Sequence, residues 1–137
     1  MDDLLVSMKL SSYGMEAQSK RIRVASENLA NEFSTAKYLG GDPYRRKLVV
    51  FKNQLDRELN AEKVLVKGYL QDKSQFKKKY EPGHPSADQE GNVLYPNVDR
   101  LIEIMDAKEA QRSYEANLSA IESSKSMLIE ILSVIAR

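Results

Sequence analysis

The stretch from Tyr114 to Ile135, YEANLSAIESSKSMLIEILSVI, sets Tyr114, Leu118, Ile121, Leu128, Leu132 and Ile135 at alternating steps of four and three, interrupted at Lys125. Such spacing keeps one stripe of side chains on one side of a helix, where a second helix can cover it. The other end of the chain supplies that partner. Met8, Met15, Ile22 and Leu29 recur every seven residues, and Leu4, Ser11, Gln18 and Ala25 form a narrower, partly polar companion row. The two patterns predict an α+β chain: a coiled-coil-like pair of long terminal helices, residues 1–31 and 97–137, around a middle insert, residues 32–96.

Inside the insert the patterning changes. Gly40-Gly41-Asp42-Pro43 is turn chemistry, and Lys47 to Phe51 and Val64 to Val66 are short β-branched runs suited to strands, so a small irregular β region is expected. The insert ends in EPGHPSADQEGNVLYPNV, Glu81 to Val98, which holds three of the four prolines and the only histidine. Pro82-Gly83 favours a turn, Pro85 holds His84 extended, and Gly91 allows another reversal. Pro96 then pushes Tyr95 to an extended backbone, Asn97 is placed to cap, and Asp99 suits a helix N-terminus, so the second helix is expected to begin near Val98.

Composition narrows the function classes. A chain of 137 residues fits one domain, and 21 Lys and Arg against 20 Asp and Glu give a net charge of +1, no global field for nucleic acid or anionic lipid. With no cysteine there is neither a disulfide framework nor a thiolate metal site. The N-terminus lacks a basic leader and apolar core, so no cleaved secretory peptide is expected. The apolar tail Met127 to Ala136 is about half the roughly 20 residues that span a bilayer, and Glu130 lies within it.

The proline-rich loop invites catalytic readings, which its residues do not support. His84, Ser86 and Asp88 could assemble a triad only by chance, since no nucleophile-elbow pattern surrounds them. Asp88, Glu90 and Asn92 alternate like the start of a calcium loop, yet Val93 stands where the turn demands Gly and Asp99 where a bidentate Glu is expected. Neither metal nor cofactor is expected. Arg45-Arg46-Lys47 and Lys77-Lys78-Lys79 read as solvated strand edges, because no aromatic platforms interleave with them. The loop is instead expected to be a rigid connector and contact through Pro82, Gly83, His84, Pro85, Gly91, Tyr95, Pro96 and Asn97. Stripe burial alone falls short of the entropy of ordering two long helices, so the chain is expected to complete its fold by assembling. The stripes Leu4, Met8, Met15, Ile22, Leu29, Tyr114, Leu118, Ile121, Leu128, Leu132 and Ile135 are then the subunit-interaction residues, with Leu5, Val24, Ile102, Ile129 and Val134 as outer flanks.

Four motifs carry a resemblance over nearly the whole length: Asn28-Leu29-Ala30-Asn31, Gly40-Gly41 with Pro43-Tyr44-Arg45-Arg46-Lys47, Pro82-Gly83-His84-Pro85 through Gly91 to Tyr95-Pro96-Asn97-Val98, and Tyr114-Glu115-Ala116-Asn117. The chain resembles the flagellar basal-body rod proteins. It departs from them at Glu32-Phe33-Ser34-Thr35, at the inserted Asp42 and at Asn92. The resemblance implies a structural, non-catalytic protein that leaves the cytoplasm through the flagellar type III export apparatus. Its implied partners are copies of itself and other rod proteins, with which it polymerises helically into the torque-transmitting rod crossing the periplasm. Terminal helices would form the inner tube and the insert would lie outside it. The competing reading of the same amphipathic ends is a cytoplasmic helical adaptor or export chaperone.

Overall fold

A computed structural model describes residues 2–136. Helix α1 (Asp2–Ala30) leads through a loop into strands β1 (Lys47–Asp56) and β2 (Ala61–Gln71), then β3 (Lys77–Tyr80), β4 (Asn92–Tyr95) and helix α2 (Arg100–Ile135). β1 and β2 form one antiparallel sheet, β3 and β4 another. The fold is α+β, two long terminal helices packed together with the strands between them.

The helix pair is antiparallel and in a single register. Gly14 of α1 lies so close to α2 that an added Cβ would be 2.9 Å from the Asn117 side-chain amide. Fourteen residues further along α1, Asn28 bonds Glu103, fourteen residues earlier on α2. The same register puts Asp2 beside residue 129, so the last turns of α2 run past the beginning of α1. The buried residues of the pair are small or polar: Ser11, Ala17, Ala25 and Asn28 from α1 and Glu103, Ala110 and Ser124 from α2, with Val24 the largest apolar one.

This corrects the expected seam. Tyr114, Ile121 and Leu128 are half-buried, but Leu118, Leu132 and Ile135 are exposed, as is Lys125. Asn117 and Ser124 hold the inward positions that the apolar spacing assigned to Leu118 and Lys125. The apolar stripe and the packed face thus diverge toward the end of α2. On α1, Leu4, Met8, Met15, Ile22 and Leu29 are all half-buried. Val24, expected on the outer flank, is buried within the chain.

The middle of the chain is more regular than expected. β1 and β2 pair along their whole length, with one shift between Val50 and Phe51 where Lys67 is the extra residue, and the hairpin turns at Asn60, which has φ 47°. The two short apolar runs sit inside strands of 10 and 11 residues, extended by polar stretches such as Lys52 to Asp56 whose composition disguises them. The hairpin lies along α1: Arg23 donates to the Tyr69 hydroxyl at 3.1 Å, and the Lys63 ammonium sits 4.5 Å from the Tyr13 ring centre. Helix α1 is therefore covered on two sides, whereas α2 is covered on one.

Helix α2 begins at Arg100, and its cap is Asp99, whose carboxylate accepts from the amides of Leu101 and Ile102. Asn97 does not cap. Its side chain is committed to the insert, as described next.

Candidate functional site

Three segments distant in sequence meet where α1 ends, β1 begins and α2 starts. Asn28 is 1% exposed and uses its whole side-chain amide. Its Nδ2 donates to the Lys47 carbonyl at 2.9 Å and to Glu103 Oε2 at 3.1 Å, and its Oδ1 accepts from the Tyr44 hydroxyl at 2.8 Å and the Lys47 amide at 3.0 Å. By pairing with both the N–H and C=O of Lys47, the amide serves the first residue of β1 as a neighbouring strand would.

Glu103, also 1% exposed, lies at the centre of this joint. Its other oxygen accepts from Arg46 Nε, and Arg46 reaches Asp72 Oδ2 at 3.4 Å. Burial opposes the charge on Arg46, yet hydrogen bonds to Glu103 and Asp72 hold its pKa above the usual value. The Asp72 carboxyl is held below its usual value, first by the amide and hydroxyl of Ser74 and then by Arg46. Asn97 closes the far side, accepting from the Arg46 amide at 2.8 Å and donating to the Asp72 carbonyl at 3.0 Å and Ser74 Oγ at 2.9 Å. A buried carboxylate with its guanidinium and amide partners in place is a sound joint, because removing any one member strands the others away from water.

The proline-rich loop is a closed and mostly self-contained structure. The Glu81 amide donates to the Gly91 carbonyl and the Asp88 amide to the Asn92 carbonyl, both at 2.9 Å, and the Tyr95 hydroxyl donates to Glu81 Oε2 at 2.8 Å. Gly91 has φ 80°, and the Tyr80 ring would be 2.9 Å from any Cβ there, so glycine is required on both counts. Beneath the loop, Ala87, Val93, Pro96 and Val98 are buried, while Pro82, Gly83 and Pro85 face solvent.

His84 and Ser86 do meet: Nδ1 accepts from the Ser86 amide at 3.1 Å and lies 2.7 Å from its hydroxyl. Asp88, the third residue of the triad considered above, instead accepts from the amides of Glu90 and Asn92 in its own turn. That turn also explains the alternating carboxylates read as the start of a calcium loop. Among the described residues no group of three or more His, Asp or Glu could hold a metal ion.

The second feature is the outer face of α2. Leu101, Ile102 and Met105 near its start and Ile129, Leu132, Val134 and Ile135 near its end are apolar side chains left 50% or more exposed among the described residues. On α1, Leu5 is 44% exposed. No helix is long and apolar enough to cross a membrane among the described residues.

Sequence reasoning missed Glu103 altogether and read Asn28 and Tyr44 only as parts of motifs; Arg46, expected on a solvated strand edge, is instead largely buried and paired with Glu103 and Asp72. A signal was there: Glu103, Ala110, Asn117 and Ser124 recur every seven residues, the small and polar stripe that faces α1. An apolar-only search passes over it.

These motifs can be set beside known proteins. Residues 89–134 match the family described as "Flagellar basal body rod FlgEFG protein C-terminal", a span covering the end of the proline-rich loop, β4 and nearly all of α2. The chain is 43% identical to the flagellar basal-body rod protein FlgC of Agrobacterium fabrum, over 98% of this chain and 97% of that protein. The chain belongs to the flagellar basal-body rod protein family. The chain is also similar to the FlgC proteins of Bacillus subtilis, at 38% identity over 93% of this chain and 95% of the relative, and of Salmonella typhimurium, at 37% over 96% and 97%. Three of the family-like motifs, around Asn28, Tyr44 to Lys47, and Asn97, are the segments that converge on the joint, and the fourth supplies Asn117 at the close approach of the helices.

Proposed function

We propose that this chain is a structural subunit of the bacterial flagellar basal-body rod. It polymerises helically through its terminal helices with copies of itself and other rod proteins, and transmits torque. The observation that carries the reading is the inverted distribution of side chains on the helix pair. Small and polar residues fill its interior, while large apolar residues stand exposed at both ends of the outer face of α2. A free-standing helical adaptor would bury those residues, whereas a polymerising subunit gains its remaining burial from neighbours.

The joint serves the same function by fixing the insert relative to the helices, which a torque-bearing subunit needs. The apolar stripe positions, including Leu118, Leu132 and Ile135, are the assembly surface, and the loop from Pro82 to Asn97 is a connector without catalytic or metal-binding work. Export through the flagellar type III apparatus is part of the reading, since the chain must reach the rod before its helices find partners. The test is fractionation of flagellated cells: the chain should co-purify with intact basal bodies, and deleting its gene should abolish rods and swimming. Recovery only as a soluble cytoplasmic dimer would replace this reading with the adaptor.

A further inference from the structure

Strand β3 has an open edge. It pairs with β4 alone, from Lys77 opposite Tyr95 to Tyr80 opposite Asn92, and all four of its residues are exposed. The next pair in that register is joined by the Glu81 amide donating to the Gly91 carbonyl at 2.9 Å. Alternate residues of an antiparallel ladder turn their backbone groups the same way, so Lys77 and Lys79 face β4 while Lys78 and Tyr80 turn their N–H and C=O outward. Among the described residues no backbone group from outside the sheet pairs with either of them.

The two faces beside this edge differ in charge. On the face of Lys78 and Leu94 lies a hollow of about 630 Å³ whose lining holds three cations, Arg45, Lys73 and Lys78, and no carboxylate. Arg45 lies 4.1 Å over the Phe76 ring and donates only to the neutral carbonyls of Asp72 and Ser74, and none of the three cations forms an ion pair among the described residues. In a chain of net charge +1 this is a local positive field. On the opposite face the charges are already matched: Lys79 pairs with Glu81, Glu32 pairs with Arg100, and Lys77 donates to the Val98 carbonyl. What that face leaves open is apolar, since Phe33 is 68% exposed and sets its ring edge to face with Tyr95.

We infer that the outer edge of β3 takes an extended acidic segment of another protein as a further strand, with acidic and apolar side chains in alternation. Successive side chains of a strand point to opposite faces, so acidic ones would enter the hollow of Arg45, Lys73 and Lys78 while apolar ones cover Phe33 and Tyr95. Lysines on an edge repel a second copy of β3 and admit a strand of opposite charge, so the same residues that guard the edge select its partner. None of the strands of this chain alternates acidic with apolar residues, which makes the partner a different protein. The inference goes beyond the rod-subunit reading and stands without it.

The test uses the purified full-length chain and a peptide of sequence TEVEVEVT, acetylated and amidated at its ends, with TKVKVKVT as control. Titration followed by nuclear magnetic resonance should show saturable binding of the acidic peptide and none of the basic one, weakening in added salt. Amide exchange at Lys78 and Tyr80 should slow by about tenfold or more at saturation, as expected of amides that gain ladder partners. Lys73→Glu and Lys78→Glu should each weaken binding by about tenfold or more with the circular dichroism unchanged; Lys73 lies outside β3, so that variant leaves the strand intact. Failure of the acidic peptide to bind would overturn the inference. So would binding that leaves exchange at Lys78 and Tyr80 unchanged, which would mean charge attraction without an added strand, or binding that both variants retain in full. A preference for oligothymidylate over the peptide would make this a phosphate-binding surface and would overturn it as well. Each of these outcomes leaves the rod-subunit reading in place.

Discussion

The joint at the start of α2 and the tail at its end solve opposite problems. At the joint, Asn28, Tyr44, Arg46, Asn97 and Glu103 satisfy one another inside a single chain. At the tail, Leu132, Val134 and Ile135 stand half or more exposed among the described residues. Polar groups demand directional partners at fixed distances, so a joint must be complete before it is worth burying. Apolar groups need only cover, which a neighbouring subunit can supply later. The difference teaches where this chain ends its own folding and leaves the rest to assembly.

The sharpest way to break the comparison is to remove the centre of the joint. Glu103→Ala strands Arg46 and the Asn28 amide in a buried setting and should destabilise the purified chain by about 3–5 kcal/mol, a large fall in thermal midpoint. If the midpoint hardly moves, the joint is not what holds the insert to the helices. Gly14→Leu is next: a side chain at the point of closest helix approach must displace Asn117, at about 1–3 kcal/mol, with loss of helix contact read by circular dichroism and calorimetry.

Acid should act on the joint and spare the tail. The Asp72 carboxyl has a folded pKa below its unfolded value, so its contribution is fully present above the ordinary carboxylate range and is lost as pH falls through the lower folded value. Stability should therefore hold from about pH 8 to about pH 5 and decline only below about pH 4. Asp72→Asn should flatten that decline in a pH series of denaturant unfolding curves. The smallest effect on the monomer belongs to Leu132→Asp. It should change monomer stability by less than about 0.5 kcal/mol, since the position is exposed, and yet prevent rod formation and swimming. Motile cells carrying this variant would show that the tail is not an assembly surface.

The elements of the fold were legible where one physical signal dominated. Seven-residue periodicity marked both helices, and β-branched runs marked the hearts of β1 and β2. Their polar extensions were not legible, because strand pairing in Lys52 to Asp56 comes from the opposite strand and α1 rather than from local preference. The cap was misassigned for a related reason: Asn97 and Asp99 have equal claims in sequence, and only the insert's demand for Asn97 decides between them. Apolar spacing located the stripe on α2 but could not tell inward from outward. The packed face is made of Ala110, Asn117 and Ser124, residues small enough to let the helices approach.

Amide hydrogen exchange on the full-length monomer, compared with the same chain in basal bodies, tests the division between a finished joint and an unfinished tail most directly. The account predicts strong protection in the monomer for residues 22–30, 47–56 and 103–110, near-free exchange for 127–135, and protection of 127–135 gained only in the rod. Strong protection through Ile135 in a verified monomer, or continued free exchange of that segment in the assembled rod, would contradict it.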